Sequence, residues 1–176
     1  MTATAKSGKE RLREIVQRQS KNKQIKTIDW VERKQTWLEQ INLLFQIIEQ
    51  WLDNFESIKI QRQEVWITEE YIGKYQTERL LLYVGDILIS FTPHGTLVMA
   101  AKGRVDIHAS NNRRAMIVLE KEGERPGVVS FTYPDSSETD TNTIQYEWLI
   151  VKEKPTKDMP VLNEDTFSDL IADLIE

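Results

Sequence analysis

From Thr27 to Asn54 the chain reads TIDWVERKQTWLEQINLLFQIIEQWLDN, and three of its five tryptophans lie in this stretch. Trp30, Trp37, Leu44 and Trp51 recur every seven residues, Val31, Leu38, Phe45 and Leu52 follow one step behind, and Ile41, Ile48 and Phe55 complete the stripe. An extended strand cannot produce that spacing, whereas an amphipathic helix produces it directly. Thr27 or Asp29 suits the N-cap, and Glu32 stands three residues after Asp29, in capping-box register. No glycine occurs between Gly8 and Gly73 and no proline before Pro93, so nothing breaks the helix, which is expected over 27–55.

A heptad repeat this long also suits a helix–helix seam, with a second copy or another protein docking on the stripe. Trp30, Trp37, Ile41, Leu44, Phe45, Ile48 and Trp51 are therefore either a core face or an interaction face. The stripe is three columns wide and Lys34 interrupts one of them, so the favoured destination is the chain's own core. Each large apolar side chain that is buried contributes roughly 1.5–3 kcal/mol, so a soluble chain must cover such a face.

After Arg79 the period shifts towards two, and glycine and proline appear at turn spacing. Seven short strands are expected at 79–84, 86–91, 96–101, 104–108, 113–121, 128–133 and 143–151, with a further one at 63–68. Thr92-Pro93-His94-Gly95 has the residues of a type I turn closed by a left-handed glycine. The links are too short for helical crossovers, which makes the sheet an antiparallel meander. NEDTFSDLIADLIE closes the sequence as a second amphipathic helix, with Thr166 and Asp169 at capping-box spacing.

The expected fold is thus α+β: a long N-terminal amphipathic helix packed on a curved, mostly antiparallel meander sheet of six to eight strands, with a short C-terminal helix. Residues 1–26 form a basic arm or short helix, 27–157 a single domain with its sheet within 58–152, and 158–176 the acidic C-terminal helix. Forty per cent hydrophobic and 29% charged residues is globular composition. No apolar run approaches the roughly 18 residues of a membrane span. The absence of cysteine and of an apolar leader segment gives a cytoplasmic expectation, with no membrane partner.

Charge is distributed unevenly. The arm holds eight Lys and Arg, among them Lys9, Arg11, Arg13, Arg18, Lys21 and Lys23, against Glu10 and Glu14, a balance of +6. From a total of −5 this leaves −11 on residues 27–176. Such an arm can neutralise acidic segments or contact nucleic acid phosphates, although it contains no aromatic residue to stack on bases.

Candidate chemistry is sparse. On the strand RVDIH, Asp106 and His108 share a face, and the nearby Arg113 and Arg114 could meet a phosphate or carboxylate. With His94 the only other histidine, too few ligands exist for a metal, and no cofactor is expected. There is no Gly-x-Ser-x-Gly elbow, Walker-type loop or G-x-G-x-x-G. The leading expectation is a non-catalytic interaction or assembly protein that uses the aromatic helix and the charged terminal segments, its partner a protein, either self or other, and catalysis is disfavoured. The alternatives are a small-ligand-binding or enzymatic sheet domain around Asp106, His108, Arg113 and Arg114, and nucleic-acid backbone binding through the arm.

Overall fold

The computed structural model describes residues 9–10, 12–13, 29–98, 101–123, 145–151 and 159–176. Within these the layout is α+β: helix α1 (Trp30–Leu52), strands β1 (Ile58–Glu69), β2 (Gly73–Val84), β3 (Ile87–Gly95), β4 (Gly103–Ala109), β5 (Arg114–Lys121) and β6 (Tyr146–Val151), and helix α2 (Glu164–Ile175). The six strands form one sheet in sequence order, and every pairing is antiparallel. Of the basic arm, Lys9, Glu10, Leu12 and Arg13 are described and helical. Arg11, Arg18, Lys21 and Lys23 and the expected strand at 128–133 lie outside the described residues.

Asp29 caps α1, its carboxylate accepting the N–H groups of Val31 and Glu32 at 3.0 Å each. The helix turns off after Leu52, where Phe55 N–H donates to the Leu52 carbonyl. It is therefore shorter than the expected 27–55, and two members of the sequence stripe leave the core: Phe55 is in the turn, and Val31 stands 72% exposed on the first turn. Trp37, Ile41, Leu44, Phe45, Ile48 and Leu52 are buried. They form one apolar cluster with Leu80, Leu82, Ile89, Phe91, Val105, Ile107, Ile117, Leu119 and Ile150 of the sheet and with Phe167, Leu170, Ile171 and Leu174 of α2. The stripe's other tryptophans sit at its two ends, Trp30 stacked on Tyr71 at 4.9 Å and Trp51 against Phe167 at 5.3 Å. On the flank of α1, Arg62 of β1 makes a two-pronged contact with Glu49 at 2.7 and 2.9 Å while its guanidinium lies over the Phe45 ring. Helix and strand are thereby held in one orientation.

β1 and β2 pair over twelve positions without a shift in register, yet the buried face changes along them. Ile58, Ile60, Leu80 and Leu82 belong to or pack against the core at one end; at the other, Ile67, Tyr75 and Thr77, of opposite parity, are buried. With no bulge to flip the side chains, the switch comes from twist. β3 pairs β2 only from Leu80 to Val84, so the rest of the hairpin is a two-stranded ribbon, in which twist accumulates fastest. Its tip is turned back over the start of α1.

Two expected features are replaced. Thr92–Gly95 is not a turn, because β3 runs through Pro93 and ends at Gly95, with a register shift between them. Beyond Phe91 β3 pairs, among the described residues, with β4 alone, and proline is tolerated at such a bulge. Nor do Thr96–Val98 and Ala101, from the expected strand at 96–101, belong to a strand: Thr96 is fully buried and fixed by side-chain bonds described below.

At the other sheet edge, Pro160–Leu162 lies along β6, with Ile150 N–H donating to Pro160 and Leu162 N–H to Trp148. α2 then starts earlier than Thr166. Asn163 caps it in a reciprocal box in which Thr166 N–H donates to Asn163 and Asn163 N–H to the Thr166 hydroxyl, each at 2.9 Å.

Candidate functional site

The four sequence-derived site residues fall in two places. Arg104, Asp106 and His108 alternate along β4 away from the core, with Val105 and Ile107 buried behind them. The Asp106 carboxylate is engaged by Arg104, with Nε at 2.9 Å, and Nδ1 of His94 on β3 lies 3.6 Å from it. His108 is exposed one pleat further on, between Ser90 and Arg114 on the flanking strands. Asp106 thus has an imidazole neighbour, but it is His94. Arg113 leaves this face altogether: its guanidinium donates to the Asp173 carbonyl at 2.9 Å while Asn111 donates to the Leu174 carbonyl at 2.8 Å. The last turn of α2 contains no basic residue, so these two side chains supply the donors that its terminal carbonyls lack. Arg113 and Arg114 border one cleft of about 340 Å³ beside that helix end, and neither Asp106 nor His108 lines it. Among the described residues, no group of three or more His, Cys, Asp and Glu is placed to hold a metal.

A more tightly built constellation lies at the ribbon tip and involves Glu69, which the sequence offers only as half of an acidic pair with Glu70. Glu69 ends β1 and is 7% exposed. One carboxylate oxygen accepts the Tyr75 hydroxyl at 2.5 Å. The other accepts the Thr96 N–H at 2.8 Å, the Thr96 hydroxyl at 2.9 Å and the Leu97 N–H at 2.7 Å. Gly95 admits this approach: at φ +130° a side chain would be strained, and a Cβ there would lie 2.9 Å from the Glu69 carboxyl carbon. Arg33 of α1 completes the knot by donating to the Thr96 carbonyl at 2.5 Å. The buried carboxylate joins the ribbon tip to the residues that follow β3, and the Thr96 carbonyl joins these to the helix start through Arg33. No local sequence signal finds it, since its partners are up to 28 residues away.

Around this knot the surface is aromatic. Trp30 stacks on Tyr71, Arg33 lies over Trp30 at 5.7 Å, and Lys74 lies over Trp66 at 4.8 Å. Tyr71 and Trp66 stand 59% and 61% exposed. Beside the knot, Trp37 forms one wall of a cavity of about 270 Å³, shared with Asp29, Arg33, Lys102, Lys121 and Tyr146.

Burial, and then the hydrogen bond and charge of Glu69, push the Tyr75 phenol well above its ordinary pKa of 10. An unfolded chain releases this proton above about pH 10 and the folded one retains it. The stabilisation is complete below pH 10 and is lost as pH rises beyond it, with a slope of at most about 1.4 kcal/mol per pH unit. Urea titrations between pH 8 and 11 should show the wild type losing stability faster than Tyr75→Phe above pH 10. Parallel curves would contradict the assignment.

No protein-family model, curated protein or solved structure matches this chain. Among the described residues, no helix is long and apolar enough to cross a membrane.

Proposed function

We propose that this is a non-catalytic interaction or assembly protein whose binding surface is the aromatic end of the β1–β2 ribbon. The observation that carries the reading is Trp66 and Tyr71, two large aromatics more than half exposed on a ribbon whose tip Glu69 ties to Thr96 and Leu97. Tryptophan and tyrosine dominate binding energy at protein interfaces, since they bury much area while freezing few torsions. Tyr71 is already stacked on Trp30, with Arg33 over the Trp30 ring, before any partner arrives, which lowers the ordering cost of association. With α1's central apolar residues used in its own core, the ribbon takes over the interaction role that the heptad pattern suggests for the helix.

The test compares wild type with Trp66→Ala/Tyr71→Ala by sedimentation in native extract. Both residues are exposed, so the melting temperature should change little. The wild type should travel as a complex well above its 20.6 kDa, and the double variant as a lighter species. If both travel as monomers, the reading is wrong.

A further inference from the structure

Resting on that reading, we propose that β1 pairs antiparallel with β1 of a second copy about Gln63, joining two six-stranded sheets edge to edge. The two edges of the sheet are treated differently. The β6 edge is covered by Pro160–Leu162, whereas β1 bonds only to β2 and, among the described residues, carries no strand on its other side. β1 is twelve residues long, free of glycine and proline, and in unbroken register with β2. Such an edge is a template for another strand.

What selects a second copy is the self-complementarity of IKIQRQEVWIT. Antiparallel pairing centred on Gln63 puts Arg62 opposite Glu64 of the second copy and Ile60 opposite its Trp66, each contact occurring twice by symmetry. Within one chain Glu64 faces Glu78 directly across the ribbon, a like-charge pair of which Arg62, also bonded to Glu49 at 2.7 and 2.9 Å, reaches Glu78 at 3.1 Å. Pairing brings the positive charge of the second copy's Arg62, still bonded to its own Glu49 and Glu78, opposite Glu64. Trp66, 61% exposed in one copy, gains an aliphatic neighbour. Shifting the centre by one residue to Glu64 would put Arg62 opposite Trp66 and lose both matches.

The chain has no cysteine, so a single introduced one reports geometry without background. Residues on the axis of an antiparallel pair have Cα atoms roughly 4.5–5.5 Å apart, within disulfide range. Purified full-length Gln63→Cys should therefore oxidise to a covalent dimer. Lys59→Cys, whose two copies would be on the order of 27 Å apart at 3.4 Å per residue, should not. Gln63→Glu puts two like charges on the axis while still offering Arg79, now bonded to Gln63 at 2.6 Å, an acceptor in its own chain. It should raise the dimer dissociation constant by at least about tenfold in sedimentation equilibrium without lowering the melting temperature. A monomeric purified wild type overturns the inference, as does a dimer that tolerates Gln63→Glu and fails to cross-link through Gln63→Cys. If purified protein is monomeric but forms a complex in extract that requires Trp66 and Tyr71, self-pairing is wrong and the broader reading stands.

Discussion

Glu69→Ala should be among the most damaging single substitutions, lowering unfolding free energy by about 3 kcal/mol or more. The change removes four hydrogen bonds to a charged acceptor and strands the buried Thr96 N–H and hydroxyl together with the Tyr75 hydroxyl. Each buried polar group left without a partner costs about 1–3 kcal/mol. Glu69→Gln keeps the shape and one carbonyl oxygen, so it should lose distinctly less, about 1–2 kcal/mol. Guanidinium titrations of the three proteins check the order. Hydrogen exchange adds a local readout: the Thr96 and Leu97 amides should lose protection in the alanine variant before the amides of β4 and β5 do. Equal stability of all three proteins would show that the carboxylate is not what joins the ribbon tip to β3.

The second large effect concerns Trp37 and Gly103. Trp37 is 1% exposed, and its ring lies so close to Gly103 that a Cβ there would be 2.2 Å from Cζ3. Real carbon atoms do not approach so closely, so the ring or the start of β4 must move. Gly103→Ala should accordingly cost about 1–3 kcal/mol in the wild type. Trp37→Ala should cost about 3–5 kcal/mol, because it deletes a fully buried aromatic side chain. In the Trp37→Ala background Gly103→Ala should be close to neutral, since the methyl enters space that the ring has left. The cycle thus predicts a coupling as large as the Gly103→Ala penalty itself, measurable by thermal or denaturant unfolding. Additive losses would mean that the helix does not sit on β4 as described.

These two sites show where sequence reasoning succeeds and where it stops. α1 was legible because its signal is local and redundant: a sustained 3.6-residue period, a capping aspartate and no breaker. β1 was only half legible. Its apolar residues are Ile58, Ile60 and Trp66 in one phase and Val65 and Ile67 in the other, so no window shows clean alternation, and only Gln63–Thr68 reads as a strand. The twist that reconciles the phases is a property of the isolated ribbon, which becomes apparent only when β3 is seen to pair with just the last five residues of β2. Around Asp106 the alternation of β4 is legible, whereas its neighbour His94 reads as part of a turn, because Pro93 and Gly95 carry turn chemistry that a bulge uses equally well. Arg113 sits beside Arg114 in sequence, but it serves a helix end some 60 residues away. The Glu69 knot is invisible for the same reason: a carboxylate's environment is set by tertiary contacts, and composition reports only that acids are plentiful.

The centre of the helix stripe is buried, and the proposed partner surface is the ribbon. The most direct test replaces a surface residue with a photo-cross-linking amino acid and irradiates native extract. Cross-links to protein, whether a second copy or another chain, should form from position 66 and be absent from position 108, on the outward polar face of β4. Adducts from position 108 with none from position 66 would contradict it.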